Sequence, residues 1–201
     1  MTRWATGPTQ ACAAAPARRA GRARSAASRR VAPPLAVSEA RTGRAALVGD
    51  NPLMTFLTRR GEGPSFPYAG EPMHVLAGAG DQPAGFATAE IAVPAGFPGP
   101  VPHAHDAFDE AIYVLEGRLL VWGDGEPVEA GPGSMLTAPR GQRHGFSNPY
   151  DSPALVLGIW APSAPALAFM REVGAVLQPG TPPDPAIMRD VYTRHASRLL
   201  P

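Results

Sequence analysis

Beyond Met54 the chain consists of short apolar runs that Gly and Pro interrupt every few residues. The sequence contains 22 Gly and 25 Pro, and these residues favour tight turns and end regular elements. Short runs at this density favour a barrel or a sandwich, and 44% hydrophobic residues are enough to bury a core. We therefore predict an all-β fold with strands at Met73–Leu76, Phe86–Val93, Glu110–Leu115, Arg118–Trp122, Ser134–Ala138 and Leu155–Trp160.

The pattern changes after Pro162, where apolar residues recur at helical intervals. We predict a helix that Ser163 caps and that buries one apolar face. The residues of this face are Leu167, Met170, Val173 and Leu177.

A second helix is predicted from Asp184, as N-cap, and Pro185, in the first helical position. Its apolar face would consist of Ile187, Val191 and Leu199. Residues 163–201 are thus expected to form a helical extension that packs on a barrel built from residues 54–162.

Residues 1–53 contain nine Arg and two acids, and Trp4 is their one aromatic residue. Such a composition cannot bury enough apolar surface to fold alone. We expect a disordered leader, or an over-extended gene start, because ordinary globular sequence begins at Met54. An Arg-rich targeting peptide or nucleic-acid-binding arm is the alternative interpretation.

Cys12 is the single cysteine, so no intramolecular disulfide can form. The longest apolar stretch, Ala154 to Ala161, is far shorter than the roughly 18 residues of a membrane-spanning helix. We expect a cytoplasmic protein that binds neither membranes nor nucleic acid.

Two histidines stand two residues apart in the sequence Pro-His-Ala-His. In an extended segment, His103 and His105 point to the same face. Glu110 follows at the start of a predicted strand that ends in a turn at Gly117. Asp109 is the alternative carboxylate if the register shifts by one residue. Glu110 is preferred because it fits the spacing, and Asp109 should then face the other side of the strand.

A fourth candidate, His144, follows the turn Pro139-Arg-Gly141-Gln-Arg. Three imidazoles and one carboxylate suit a borderline divalent metal ion. Gln142 and Asn148 could orient ligands or substrate, though turn formation explains Asn148 equally well. His74 and His195 are interpreted as structural. Tyr113, Trp122, Phe146 and Trp160 are interpreted as barrel packing, although some aromatic residues of such a barrel should line the ligand cavity.

The segment from Gly133 to Asn148 resembles the second cupin motif, Gly-x5-Pro-x-Gly-x2-His-x3-Asn, at every fixed position. The segment from His103 to Gly117 resembles the first, His-x-His-x4-Glu-x6-Gly, with its leading Gly displaced. The resemblance implies a cupin double-stranded β-helix, that is, a jelly-roll barrel. It also implies one divalent Fe, Mn, Ni, Cu or Zn ion bound by His103, His105, Glu110 and His144.

The pattern Pro-His-x-His-x3-Asp-Glu, followed by Tyr-Val-Leu-Glu-Gly, is similar to single-domain cupins of the quercetin 2,3-dioxygenase type. This resemblance implies a dioxygenase that acts on a small enol or phenolic, flavonol-like substrate. Glu110 would accept the substrate proton, dioxygen would be the co-substrate, and the chain would form a homodimer. The alternatives are an isomerase, cyclase or lyase that uses the metal as a Lewis acid, and a non-catalytic small-ligand-binding cupin.

Overall fold

The computed structural model describes residues 46–47, 56–80, 84–177, 181 and 183–201. The predicted leader lies outside these residues, apart from a short strand, β1 (Ala46–Leu47), that pairs antiparallel with β2 (Phe56–Leu57). The remaining elements are β3 (Ser65–Tyr68), β4 (Glu71–Ala77), β5 (Ala87–Val93), β6 (His103–His105), β7 (Asp109–Glu116), β8 (Leu119–Trp122), β9 (Val128–Ala130), β10 (Met135–Ala138), β11 (Gly145–Ser147), β12 (Ala154–Ala161), α1 (Ser163–Val176), α2 (Pro185–Arg194) and β13 (Ser197–Leu199).

The larger sheet is antiparallel, with the strand order β10-β7-β12-β5-β4-β3. Every second residue of β5, β7 and β12 is buried, because strand side chains alternate between two faces and one face meets the core. The pairing of β12 with β7 places Trp160 beside Glu110 on this inner face. Trp160 lies across Gly158, where an added β-carbon would fall 2.2 Å from the indole ring. Gly158 therefore makes room for a large ring next to Glu110.

A smaller sheet, in the order β11-β8-β9, supplies the other wall of the barrel. Leu119, Ala130 and Phe146 from this sheet join the same buried cluster as Ile112 and Val156 from the larger one. Burying a side chain such as Ile112 stabilises the fold by about 1.5–3 kcal/mol. The two sheets enclose one apolar core, and the predicted jelly-roll fold class is confirmed.

The two predicted helices are present, with differences at their ends. Asp184 caps α2 by accepting a hydrogen bond from the Ala186 N–H at 2.7 Å. Ser163 is the first residue of α1, not its cap, and its hydroxyl donates to the Ala84 carbonyl instead. The predicted cap is thus wrong. Within the described residues, no helix combines the length and the apolar character needed to cross a bilayer.

The predicted apolar face of α2 is partly wrong. Val191 is buried, but Ile187 is half exposed, and Met188 and Tyr192 complete the buried face. Leu199 lies in a strand, β13, because the helix ends at Arg194 and Ala196 adopts a left-handed φ of 48°. That turn sends the chain back along β6, with which β13 pairs antiparallel.

Candidate metal centre

Four buried side chains from three parts of the chain meet inside the barrel. His103 and His105 lie on β6, Glu110 is the second residue of β7, and His144 directly precedes β11. Their ligand atoms all lie within 4.8 Å of one another, and each residue is between 2% and 8% exposed. His144 and His103 exchange backbone hydrogen bonds of 3.0 and 2.9 Å, which fix the two segments side by side. The structure thus brings together all four predicted ligands, and their role as ligands stays a prediction.

The rings of His103 and His144 are oriented by backbone carbonyls. His103 Nδ1 lies 2.9 Å from the Val101 carbonyl oxygen, and His144 Nδ1 lies 3.0 Å from the Gln142 carbonyl oxygen. Carbonyl oxygens only accept hydrogen bonds, so both Nδ1 atoms donate and carry the proton. In the neutral rings the lone pair is then on Nε2, the atom a metal ion requires.

His105 is held differently, by a side chain from the far end of the chain. Its Nδ1 lies 2.7 Å from the Ser197 hydroxyl oxygen, and Ser197 is itself buried. His105 Nε2 is buried and, among the described residues, forms no hydrogen bond, although the Glu110 carboxylate oxygen lies 3.1 Å away. A buried nitrogen without a partner costs about 1–3 kcal/mol, and a metal ion at this point would provide the missing partner.

The carboxylate of Glu110 closes the group. Its Oε2 lies 3.1 Å from His105 Nε2 and 3.3 Å from His144 Nε2. The neighbouring Asp109 points the opposite way and accepts hydrogen bonds from the backbone N–H and guanidinium of Arg140. The strand register therefore turns Glu110, and not Asp109, towards the histidines.

Charges within the centre set its protonation. Burial alone would raise the pKa of Glu110, but its contacts with the His105 and His144 imidazoles hold that pKa well below the ordinary value. Burial, together with repulsion from the other two imidazoles, lowers the pKa of His103 to about 3. Burial also opposes protonation of His144, but the hydrogen bond to Glu110, the charge of Glu110 and the Gln142 carbonyl together outweigh burial and raise the His144 pKa. At neutral pH the centre presents an ionised carboxylate and a neutral His103.

Both the hydrogen-bond geometry and the residue types of this group fit a divalent metal ion. The nitrogens of His103 and His144 that face inward are free of protons in the neutral tautomer, and the inward nitrogen of His105 forms no hydrogen bond among the described residues. Three imidazoles with one carboxylate suit Fe, Mn, Ni, Cu or Zn, and four protein ligands leave two positions of an octahedral ion open.

A cavity of about 30 Å³ adjoins the centre. Its wall is largely apolar, and the helices α1 and α2 contribute Phe169, Met170, Met188 and Tyr192 to it. The sequence predicted neither Tyr192 nor Tyr68, the second phenol in the wall. Tyr192 stands four residues after Met188 and so could have been placed on a buried helix face, but no pattern pointed to the centre.

The other candidate residues divide between the cavity and the surrounding structure. Of the four aromatic residues considered, Phe146 and Trp160 line the cavity, whereas Tyr113 lies on the outer face of β7 and Trp122 packs against Gly145. Asn148 is fully buried and holds its own loop through Val93, Ser152 and Tyr150. Gln142 contributes its backbone carbonyl to His144, and its side chain is exposed.

A jelly-roll barrel with a buried three-histidine, one-glutamate group defines a class of metal-binding β-barrels. Residues 89–160 match the family described as the cupin domain, and these residues contain both motifs of the centre. The chain belongs to the cupin superfamily.

Three of the individual proteins that match this chain do so over 23% to 45% of its length. The chain is 35% identical over 46 residues to quercetin 2,3-dioxygenase from Bacillus subtilis, which is 23% of this chain and 14% of that protein. It is 30% identical to the solved structure of TT1209 from Thermus thermophilus, covering 45% and 83% of the two chains with a TM-score of 0.38. A cupin-superfamily sugar phosphate isomerase from Silicibacter pomeroyi is 27% identical, covering 45% and 58%, with a TM-score of 0.41.

Proposed function

We propose that the protein is a metal-dependent dioxygenase that acts on a compact enol or phenol. The observation that carries the proposal is the Glu110 carboxylate, ionised and buried beside two imidazole nitrogens at the edge of an apolar cavity. The short similarity to quercetin 2,3-dioxygenase supports the reaction class. That similarity covers 14% of the relative, so the reaction itself is what must be tested.

The cavity wall indicates the substrate class. Glu110 is its one acidic residue, and among the described residues that line it there is no Arg; the chain contains no Lys. A phosphate group would therefore find no cationic side chain in the wall and would depend on the metal ion alone, which is unfavourable for a doubly charged group. The volume of about 30 Å³ has room for about two water molecules, so any organic substrate requires the wall formed by α1 and α2 to move. We therefore expect a compact, largely apolar substrate with one acidic hydroxyl.

The residues of the centre can carry out the proton chemistry of such a reaction. A bound divalent ion would supply Lewis acidity, which lowers the pKa of a coordinated hydroxyl. Glu110 is placed to accept the hydroxyl proton as the O–H bond breaks. Both atoms of dioxygen would enter the product, so the substrate supplies all the electrons and no separate reductant is required. The apolar wall, with Phe169 and Trp160, excludes water from the reacting carbon.

Two phenols favour a second candidate, proton-transfer chemistry of the isomerase or lyase kind. Tyr68 and Tyr192 line the cavity, and burial, followed by the nearby Glu110 charge, raises the pKa of Tyr68. Burial also raises the pKa of Tyr192, with Tyr68 and Glu110 adding to it. Both phenols stay neutral at physiological pH and can donate hydrogen bonds to a substrate oxygen.

Oxygen uptake separates the two candidates. Metal-stripped protein is reloaded with Fe(II), Mn(II), Ni(II), Cu(II) or Zn(II) and assayed with 3-hydroxy-4-pyranones, catechols and a flavonol. The dioxygenase predicts one dioxygen consumed per substrate, loss of activity on chelation, and recovery with redox-capable ions. Zinc is the control, because it acts as a Lewis acid without redox chemistry. A zinc form that converts substrate without oxygen as fast as any other form would replace the dioxygenase by the isomerase or lyase.

A further inference from the structure

The C-terminal strand β13 frames the segment that carries two of the four candidate ligands. Ser197 pairs with His105 and Leu199 with His103. Beyond the ladder, the Asp106 N–H donates to the Ala196 carbonyl and the Leu200 N–H to the Pro102 carbonyl, both at 2.8 Å. These contacts fix β6 at both ends, so the last residues of the chain are built into the wall of the centre.

The side chains reinforce this pairing. Arg198 binds Asp106 through two hydrogen bonds of 3.0 and 2.9 Å, an arrangement that fixes direction as well as distance. The aromatic ring of Tyr192 lies edge-on to His103, with ring centres 5.5 Å apart. Strand register and ring contacts together determine where Ser197 meets His105.

The direction of the Ser197 hydrogen bonds follows from its partners. The Ser197 hydroxyl donates to the His195 carbonyl at 3.3 Å, and that carbonyl can only accept. The hydroxyl oxygen is then left as an acceptor for His105 Nδ1–H at 2.7 Å. The order is His105 Nδ1–H to Ser197 hydroxyl to His195 carbonyl, which leaves the lone pair of neutral His105 on Nε2.

We propose that Ser197 is a positioning residue of the metal centre, fixing the tautomer and the ring orientation of His105. The proposal depends on the metal site proposed above and not on the reaction. His103 and His144 are oriented by carbonyls two residues away in their own segments, which no substitution can remove. His105 depends on a side chain 92 residues away, so its orientation can be changed by substituting one hydroxyl.

The test measures the binding of Co(II) alone, by competition with a chromophoric chelator, in the full-length protein. Ser197→Ala should lower Co(II) affinity by about 10–100-fold, the usual cost of losing a group that orients a ligand. Ser197→Thr keeps a hydroxyl and should restore most of the affinity. Thr193→Ala is the matched control, because it removes a hydroxyl that donates to the Arg189 carbonyl on the exposed face of α2. It should leave the Co(II) affinity within about twofold of wild type.

Nitrogen-15 NMR of the imidazoles in the metal-free protein gives a second readout, the tautomer of His105. Ser197→Ala would leave this tautomer unchanged if Ser197 had only a structural role. Wild-type His105 should carry its proton on Nδ1, and Ser197→Ala should lose that preference. A wild-type His105 with its proton on Nε2 overturns the proposal, and this measurement requires no folded variant. Ser197→Ala protein that binds Co(II) as tightly as wild type also overturns the proposal. Wild-type protein that binds no metal would instead contradict the proposed function.

Discussion

Two clusters in this protein pair imidazole with carboxylate, and they differ in what surrounds them. In the buried centre, the Glu110 side chain is 9% exposed and faces His105 and His144. In the surface cluster, formed by Glu172, Arg194 and His195, the Glu172 side chain is 37% exposed. The same residue types therefore meet in two different environments.

The surface cluster satisfies its own charges. Arg194 forms ion pairs with Glu172 and Asp190, and His195 Nε2 contacts the other oxygen of Glu172. A guanidinium, which stays protonated, neutralises the carboxylate. This cluster ties α1 to the end of α2. In the buried centre no described guanidinium contacts Glu110, and the inward nitrogens are left to a metal ion.

Breaking the centre should have the largest effect. His144→Ala removes one of four ligands, and we expect metal affinity to fall at least about 100-fold, because each ligand bond contributes directly to binding. Competition titration with Zn(II) measures this change. His74→Ala, at a half-buried histidine on β4 outside the centre, is the control and should bind normally. Full occupancy of the His144→Ala protein would show that the ligands are assigned wrongly.

Adjacent carboxylates on opposite faces of β7 give a matched pair of variants. Glu110→Gln nearly preserves size but removes the base, and turnover should fall by about 100-fold, more than metal affinity does. Asp109→Asn only loses contacts to Arg140 and should retain most activity. Oxygen uptake and Zn(II) titration on both proteins test this. Equal losses of turnover and metal in Glu110→Gln would make Glu110 a ligand only, and a larger loss in Asp109→Asn would reverse the assignment.

Phe169 connects the two clusters, since its ring centre lies 4.8 Å from that of His105 and 5.8 Å from that of His195. Phe169→Ala should destabilise the protein by about 3–5 kcal/mol, because a buried ring is replaced by a void. The Tm should fall by roughly 6–20 °C for a chain of this size, whereas Zn(II) affinity should change less than about tenfold. Scanning calorimetry with a parallel titration measures both. A Tm within error of wild type would show that the ring is not part of the core.

Substituting the surface cluster should have the smallest effect. Glu172→Gln should lower the Tm by at most about 2 °C at pH 7 and leave metal binding unchanged, since exposed ion pairs contribute little. The hydrogen bond from His195, followed by that from Arg194, lowers the pKa of Glu172. A carboxyl group whose pKa is lowered on folding stabilises the fold at pH values above its ordinary pKa. This stabilisation is lost as the pH falls through the lowered pKa. The Tm difference should therefore shrink on acidification, and a difference that grows would contradict this assignment.

The sequence predicted the parts of the centre that depend on local geometry. His103 and His105 share a face because side chains alternate along a strand, and the same rule separates Glu110 from Asp109. All six predicted strands are present, with boundaries within two residues of the prediction. Short apolar runs bounded by Gly and Pro are typical of strands.

Contacts across the chain were not predictable. The three residues of β13 are too few for a periodic pattern, and their strand is formed by pairing with β6. Leu199 matched a helical interval by coincidence, and the left-handed Ala196 ends that helix instead. Ser197 reaches the centre because this turn reverses the chain, and Tyr192 because the buried face of α2 lies against His103. No local signal marks either residue as part of the centre.

The central claim is one metal site per chain, and the most direct measurement is a calorimetric titration of metal-stripped, full-length protein with a divalent ion. Three imidazoles and a carboxylate converging inside a single barrel predict a stoichiometry of one ion per chain. No binding, or binding at several weak sites, would contradict the assignment of this centre.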